Sequence, residues 1–507
     1  MRITNRMMIN NSLRDINNNK THLDKLNTQF STEKKIQKPS DDPIVAIRAL
    51  RFRSDLAELD QYLERNIPDA DAWLGITEEA LTTAREMIQS IQPYLVQGST
   101  ETLGTQERAA IIENLEAYKD QILQDANADY ANRTIFTGYK TDQNMTFETD
   151  ENDTKYVITE KLLAGDADRK SVIVNAITDE EVKDATTSKN ADDMPEMVTV
   201  HRVRLAYDKL DAAELNKGCK LTGEDGSIEL KTIYAKSVVG NETIYEDSDG
   251  NTIADPYNPP AGGAYLLADA GEIILSEDAY NRYQQYTANG KELSITYQKT
   301  GFKKGELCPE HYFSCTKNTP TATETFDYTG EDQVINYTIN FNQKIKVNTE
   351  GKDVYSHDIV RDVEELLECT KNMEDVERRI SELEYRIKNA SDTEKANLNT
   401  KLEALEKERT LSEEILQKRF EEAITEFQGH QQKFDLAITD VGNRKVRLAL
   451  NKERLTSQQT NLEELKSINE DADMAETAIL LKTASYVYEA SLSSTSKVMS
   501  TSLMDFI

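Results

Sequence analysis

Cysteine is scarce. Four in 507 residues make no disulfide framework. Continuous apolar runs are missing too: nothing approaches the roughly 18 apolar residues that a membrane span needs. The opening MRITNRMMINNSLRDINNN is basic but lacks the apolar core of a secretory signal. Taken alone these absences point to the cytoplasm, although a dedicated export machine that reads a flexible N-terminus would leave the same blank. Positive charge is short: 60 Lys and Arg stand against 91 Asp and Glu, a formal net charge of -31. Such a chain repels phosphate backbones and anionic lipid, so neither nucleic acid nor membrane is an expected partner. The sequence has no H-E-x-x-H, Walker loop, G-x-G-x-x-G or G-x-S-x-G, which removes the usual routes to an enzyme, and no cofactor is expected.

The remaining chemical candidates are weak. Cys308, His311 and Cys315 cluster in CPEHYFSC, and thiolate with imidazole suits zinc, but a structural zinc site wants a fourth ligand that is not evident. Free thiols or one local disulfide are the plainer reading. Cys219 and Cys369 stand alone, and His22, His201, His357 and His430 lack ligand spacing. Asp41 and Asp42 look like an acid–base pair, yet Asp42 before Pro43 is what a helix N-cap requires.

Helical periodicity fills both ends of the chain. Ile9, Leu13, Ile16, Leu23, Leu26 and Phe30 near the start, and Leu481, Tyr488, Leu492, Met499, Leu503 and Phe506 near the end, recur at three-, four- and seven-residue steps. Each stripe is narrow and lies at a terminus, so neither helix is stable by itself. These twelve residues are the expected assembly interface, intermolecular rather than only within the chain. From the first helix, ending near Ile36, the pattern passes a polar turn and resumes at Pro43. It is interrupted or kinked at Pro68, runs on to Leu95, and continues from Ile111 to Ala126. Phe420, Phe427, Phe434, Ile438, Val441, Leu448, Leu455 and Leu462 prolong a seam for over forty residues near the other end. Before it, Met373 to Ile387 alternate by three and four. Ser391 and Glu394 then form a capping box that predicts a helical hairpin, with one longer helix as the alternative. Glu374, Arg378, Glu382 and Arg386 read as a solvated face.

Between about 140 and 348 the helical period gives way to KYVIT, SVIVNAI, ELSITYQ and INYTINF, strand-like segments with most of the 20 glycines nearby and the acidic runs DEEVKD and NADDMPEM in loops. Such a lobe should project into solvent. The fold class is therefore multidomain and mainly α: an elongated helical bundle or coiled coil of paired N- and C-terminal segments, with a mainly β central insert. The expected domains are terminal, 1–35 with 465–507; helical rod, 36–140 with 349–464 and its hairpin at about 370–410; and inserted lobe, 141–348.

MRIT, IQKPSDDPIVAIRALRFR, ANADYANRTIFTGYKT and the ending DADMAETAILLKTASYVYEASLSSTSKVMSTSLMDFI together resemble the bacterial flagellin superfamily, on its hook–filament junction side. Three details favour that side over filament flagellin: SDDPIVAIRAL in place of a Gly- and Ala-rich continuation, the IFTGYKT segment, and the SLMDFI ending. The hairpin and the long insert depart from compact members. The resemblance implies a structural role in the flagellum, assembled at the distal end of the hook. Its implied partners are the first hook-associated protein, flagellin, further copies of itself in the junction ring, and a cytosolic export chaperone on the C-terminal helix. It also implies extracellular placement through the flagellar type III apparatus. Two alternatives stay open: a filament flagellin subunit, and a flagellar rod whose insert is an adhesin.

Overall fold

A computed structural model describes residues 5–100, 104–190, 193–211, 219–224, 226–239, 242–247, 250–253, 255–328 and 330–504. Its helices are α1 Asn5–Thr32, α2 Pro43–Gln61, α3 Ile67–Gly98, α4 Thr105–Asp125, α5 Asp179–Lys183, α6 Glu277–Tyr286, α7 His357–Asn389, α8 Asp392–Glu470 and α9 Met474–Met504. The chain divides into two compact units. One comprises 1–71, 337–345 and 446–507, the other 72–336 and 346–445.

In the first unit α1 stops at Thr32, four residues short of Ile36, because Glu33 takes a left-handed φ of 60° and breaks the helical repeat. The turn that follows uses both aspartates. Asp41 Oδ2 accepts from the N–H groups of Gln37 and Lys38, each at 3.0 Å, and Asp42 accepts from those of Ile44 and Val45 at 3.0 and 3.2 Å. Pro43 follows as the first residue of α2, so the paired carboxylates are turn and cap. Pro68 does not end the helical path. A π turn over Tyr62–Asn66 lets the Ile67 N–H reach the Tyr62 carbonyl, and α3 begins at Ile67; a wider turn absorbs the proline without a break. α2 runs antiparallel to the end of α8, with Asn469 donating to the Val45 carbonyl at 3.1 Å and Gln459 to Asp60 at 2.6 Å. Ala46, Ala49, Leu56, Leu59, Leu448 and Leu455 are buried in this unit.

In the second unit α3 and α8 are also antiparallel. Lys445 bonds Glu78 at 2.6 Å, Gln92 bonds Gln431 at 2.8 Å, and Arg85 pairs with Asp435. Leu74, Leu81, Ile88, Ile91, Leu95, Leu115, Ile122, Phe420, Phe427, Phe434 and Val441 are buried. The seven-residue phenylalanine step therefore faces inward throughout. Gly98 is required by this packing, since a Cβ there would sit 2.4 Å from the Phe420 ring. Ser391 donates its N–H and its hydroxyl to the Glu394 carboxylate at 2.9 and 2.6 Å, the glutamate half of the capping box. α7 and α8 are thus a hairpin, not one helix.

The insert is built on a 12-stranded sheet, while Asn336–Asn340 and Gln343–Lys346 form a separate two-stranded hairpin that falls mostly in the first unit. In order the sheet runs Thr323–Phe326, Ser314–Asn318, Glu151–Leu162, Leu293–Phe302, Lys220–Thr222, Ser227–Val239, Ala264–Leu267, Glu272–Leu275, Glu196–Arg204 and Ala167–Val174, with Glu242–Asp247 and Thr252–Ile253 folded off Ser227–Val239. Ser227–Val239 and Ala264–Leu267 pair in parallel. Alternation places Leu266, Ile273 and Leu275 in the larger core with Tyr156, Tyr283 and Tyr297. Tyr265, Leu267 and Ile274 occupy a smaller core with Ile233 on the other face.

The lobe is anchored to helices of its own unit at two places. The DEEVKD run, expected in a loop, forms α5; Ile177 and Val182 share a small core with Leu383, Leu398 and Leu405 of the hairpin. Buried Lys401 donates there to the carbonyls of Glu181 and Asp184 at 2.7 and 2.6 Å. Arg378, expected on a solvated face, bonds Asp179 at 3.1 Å. The second anchor is a buried charge cluster. Arg202 bonds Glu272 and Glu365 at 2.9 Å each and Asp168 at 2.6 Å, Arg204 reaches Asp362 at 2.6 Å, and Arg419 bonds Glu426 at 2.8 Å. Burial would raise the Glu365 carboxyl, but the Arg202 and Arg419 guanidiniums hold it well below the usual carboxylate range. Such clusters specify a geometry more than they add net stability.

Candidate assembly surface

The first unit carries its terminal helices as an antiparallel pair. The turn between α1 and α2 is stitched to the turn between α8 and α9: Lys35 N–H donates to the Glu470 carbonyl and Ala472 N–H to the Glu33 carbonyl, each at 2.8 Å. Arg53 clasps the buried Glu470 carboxylate with two bonds of 2.9 and 2.7 Å. That contact raises the guanidinium's already high pKa. Lys34 pairs with Asp471, and the hydrogen bonds from Lys34 and Ser467 lower the Asp471 carboxyl. A bidentate guanidinium–carboxylate pair holds direction as well as charge.

From this fixed end α1 and α9 lie side by side. On α1 the covered positions are Ile9, Ser12, Ile16, Asn19, Leu23 and Leu26; on α9 they are Thr477, Leu481, Ala484, Tyr488, Ser491 and Thr495. Both sets alternate by three and four, yet only Leu26, Thr477, Ala484 and Thr495 are fully buried. Small and polar residues fill two of the six α1 positions and four of the six α9 positions, so the pair buries little apolar surface.

The expected interface residues therefore fall into groups. Ile9, Ile16, Leu23, Leu26, Leu481 and Tyr488 face the other terminal helix of the same chain. Leu13, Phe30 and Leu492 stay exposed. The side chains of Met499 and Leu503, and the whole of Phe506, lie outside the described residues.

A second apolar stripe on α9 was not separated by sequence reasoning. Ile479, Leu480, Tyr486 and Val487 are exposed, Ile479 at 67%, and they repeat at seven-residue intervals, with Thr483 between them and Ala490 continuing the row. At about 100° per residue this stripe lies roughly 120° round the helix from the covered one. Two superposed heptads, at 477/484 and 479/486, could have been found by testing every phase of the repeat. α2 shows the same condition: Ile44, Ile47 and Leu50 are each more than 60% exposed while Ala46, Ala49 and Leu56 are buried. Leu465 and Ile468 on α8 are exposed as well. Most of the exposed large apolar side chains among the described residues are in this unit. Apolar stripes of this kind on soluble helices mark surfaces made to be covered by protein.

The thiol–imidazole cluster lies in the other unit. Cys308 and Cys315 are buried and free, burial pushes Cys315 up to about 12, and His311 Nε2 meets the Asn144 carbonyl at 2.9 Å. No group of three or more His, Cys, Asp or Glu among the described residues is arranged to hold a metal. No helix among them is long and apolar enough to cross a membrane.

Residues 3–141 match the bacterial flagellin N-terminal helical region. The chain is 32% identical over 190 residues to flagellar hook-associated protein 3 of Escherichia coli, covering 37% of this chain and 58% of that protein. It is 35% identical over 144 residues to flagellar hook-associated protein 3 of Salmonella typhimurium, covering 28% and 45%. Flagellin of Clostridium tyrobutyricum is 27% identical over 141 residues, covering 28% and 37%. The chain thus spans about half the length of the hook-associated relatives it matches. These matches make the chain, which pairs its two ends and leaves apolar helical stripes open, similar to the N-terminal helical region of bacterial flagellins and to flagellar hook-associated protein 3.

Proposed function

We propose that the chain is a structural, non-enzymatic subunit of the bacterial flagellum that joins the hook, through the first hook-associated protein, to the flagellin filament. The open stripe Ile479, Leu480, Tyr486 and Val487 on α9 carries this reading. It belongs to a helix whose other apolar face is already taken by α1, so a neighbouring molecule is needed to cover it. Leu13, Phe30, Leu492 and the α2 stripe Ile44, Ile47 and Leu50 would join the same intermolecular contact. Ile9, Ile16, Leu23, Leu26, Leu481 and Tyr488 would set the shape of each subunit's terminal coiled coil. Burying one Ile, Leu or Val in the assembly is worth about 1.5–3 kcal/mol at most, and helical repetition multiplies that around the ring.

In this arrangement 1–35 with 465–507 form the terminal domain, 36–140 with 349–464 the rod, and 141–348 an outer lobe. The weak pairing of α1 with α9 suits export through the flagellar type III apparatus, because the termini order fully only when neighbours supply apolar faces. A cytosolic chaperone would cover the α9 stripe before export. Deleting the gene tests the role: bare hooks with flagellin shed into the medium are expected on electron micrographs and gels, and filaments still attached to hooks would contradict it. The flagellin relative favours one second reading, a filament subunit. In that case deletion would shorten or alter filaments without leaving hooks bare.

A further inference from the structure

Charge in this chain is divided between its two units. Residues 1–71, 337–345 and 446–507 hold 19 Lys and Arg against 20 Asp and Glu, whereas the rest of the chain holds 41 against 71. Nearly all of the net charge of -31 lies in the second unit, where copies of the chain repel one another. The first unit is close to neutral, so contact between copies is favoured there. Charge is also sorted by sign on its open faces. On α2 the row Ile44, Arg48 and Arg51 steps by four and three with Ile47 beside it, which puts all four on one side of the helix. All are exposed. Neither guanidinium enters an ion pair or hydrogen bond among the described residues, although Asp55 lies one turn from Arg51. Arg53, by contrast, is satisfied by its bidentate pair with Glu470. On α9 the row Glu476, Leu480, Thr483 and Val487 steps by four, three and four. Glu476 is the charged member of that row, exposed and with its carboxylate unpaired among the described residues.

We infer that these two faces meet between copies: the α2 face of one copy, with Arg48 and Arg51, docks on the α9 stripe of a second copy, with Glu476. The inference rests on the intermolecular role proposed above for both stripes and adds which one meets which. Charge and symmetry decide among the three ways of joining them. α2 on α2 would set four guanidiniums together. α9 on α9 brings no cation from the row to Glu476. Both of those contacts are isologous as well, so each closes on a pair and stops. α2 on α9 sets opposite charges beside apolar side chains, which favours this pairing over the other two. It is also heterologous: a free α2 face remains at one end of the series and a free α9 face at the other, so the contact repeats from copy to copy. Arginine beside Ile44, Ile47 and Leu50 is the make-up of a strong contact centre, in which a guanidinium lends direction to apolar burial.

The test is charge reversal in the full chain, read by sedimentation of the purified protein and by complementation of a deletion strain. Arg48→Glu with Arg51→Glu should raise the concentration needed for assembly more than about tenfold, and Glu476→Arg should do the same. These side chains are exposed, so circular-dichroism melting should stay near wild type. Glu476→Arg puts a cation in the first turn of α9, and the α2 pair carries the test if that helix loosens. The three reversals combined place opposite charges on the two faces again and should restore assembly and motility. Assembly of the α2 pair at the wild-type concentration overturns the inference, and so does a combined variant that assembles no better than the variants reversed on one face. Failure of the underlying reading looks different: there a chain with Ile479→Asp and Val487→Asp still assembles, or filaments stay attached to hooks in the deletion strain.

Discussion

Replacing Ile479 and Val487 together by aspartate should leave the subunit folded and abolish its assembly. Both side chains lie on the open stripe of α9, 67% and 48% exposed, so the isolated chain has little of their burial to lose. Exposed substitutions of this kind change stability by about 0.5 kcal/mol or less. Assembly is a different matter. Full burial of Ile or Val is worth about 1.5–3 kcal/mol, and roughly half to two thirds of that is still to be gained at these positions. The pair therefore contributes about 2–4 kcal/mol per contact, and its loss weakens association roughly 30- to 1,000-fold. Two carboxylates brought into an apolar contact add to the loss. Circular-dichroism melting of the monomer, sedimentation of the polymerised protein and complementation of a deletion strain separate the two effects. The matched control is Ala484→Asp, on the covered face, which should lower the melting transition of the terminal helices directly. A double variant that polymerises and restores motility at wild-type level would refute the assignment of the stripe.

Glu160 is buried with its Oε2 accepting from the Tyr297 hydroxyl at 2.7 Å and the Ala206 N–H at 3.2 Å, and burial raises its pKa from 4.5 to about 7. Because the folded value lies above the unfolded one for an acid, its contribution is complete below pH 4.5 and lost as pH climbs to 7. Glu160→Gln should flatten that decline and raise lobe stability by on the order of 2–3 kcal/mol above pH 7, measured by denaturant titration across pH. Glu365→Ala strips Arg202 of a buried partner and should cost about 3–5 kcal/mol, seen as an early melting step in calorimetry. At Glu365 the depressed folded value gives the opposite pH sense, with stability present above the ordinary glutamate pKa and lost on acidification. Cys308 and Cys315, buried with thiols held protonated, should resist aromatic disulfide reagents in the folded chain and react once it is denatured.

What the sequence made legible was local or periodic. Asp42 with Pro43, and Ser391 with Glu394, announce helix starts because their partners lie within three residues. The phenylalanine step at 420, 427 and 434 announces a buried face because its period survives any tertiary context. Contacts between distant segments left no such trace. Arg202 and Glu365 are 163 residues apart, and nothing near either one signals the other. Arg378 is exposed, as read, but its bond to Asp179 was not legible because that partner lies 199 residues away in an acidic run that itself read as a loop. Pro68 read as an interruption or a kink because a π turn cannot be read from composition. On α9 the second stripe stayed hidden behind the first, as Leu480 and Leu481 adjoin in sequence but belong to different faces.

Position along the organelle tests the hook–filament joint most directly. Antibodies raised against the 141–348 lobe and detected with gold on intact flagella should mark a single narrow band where the hook meets the filament. Gold spread along the filament would contradict a junction role and make this chain a filament subunit.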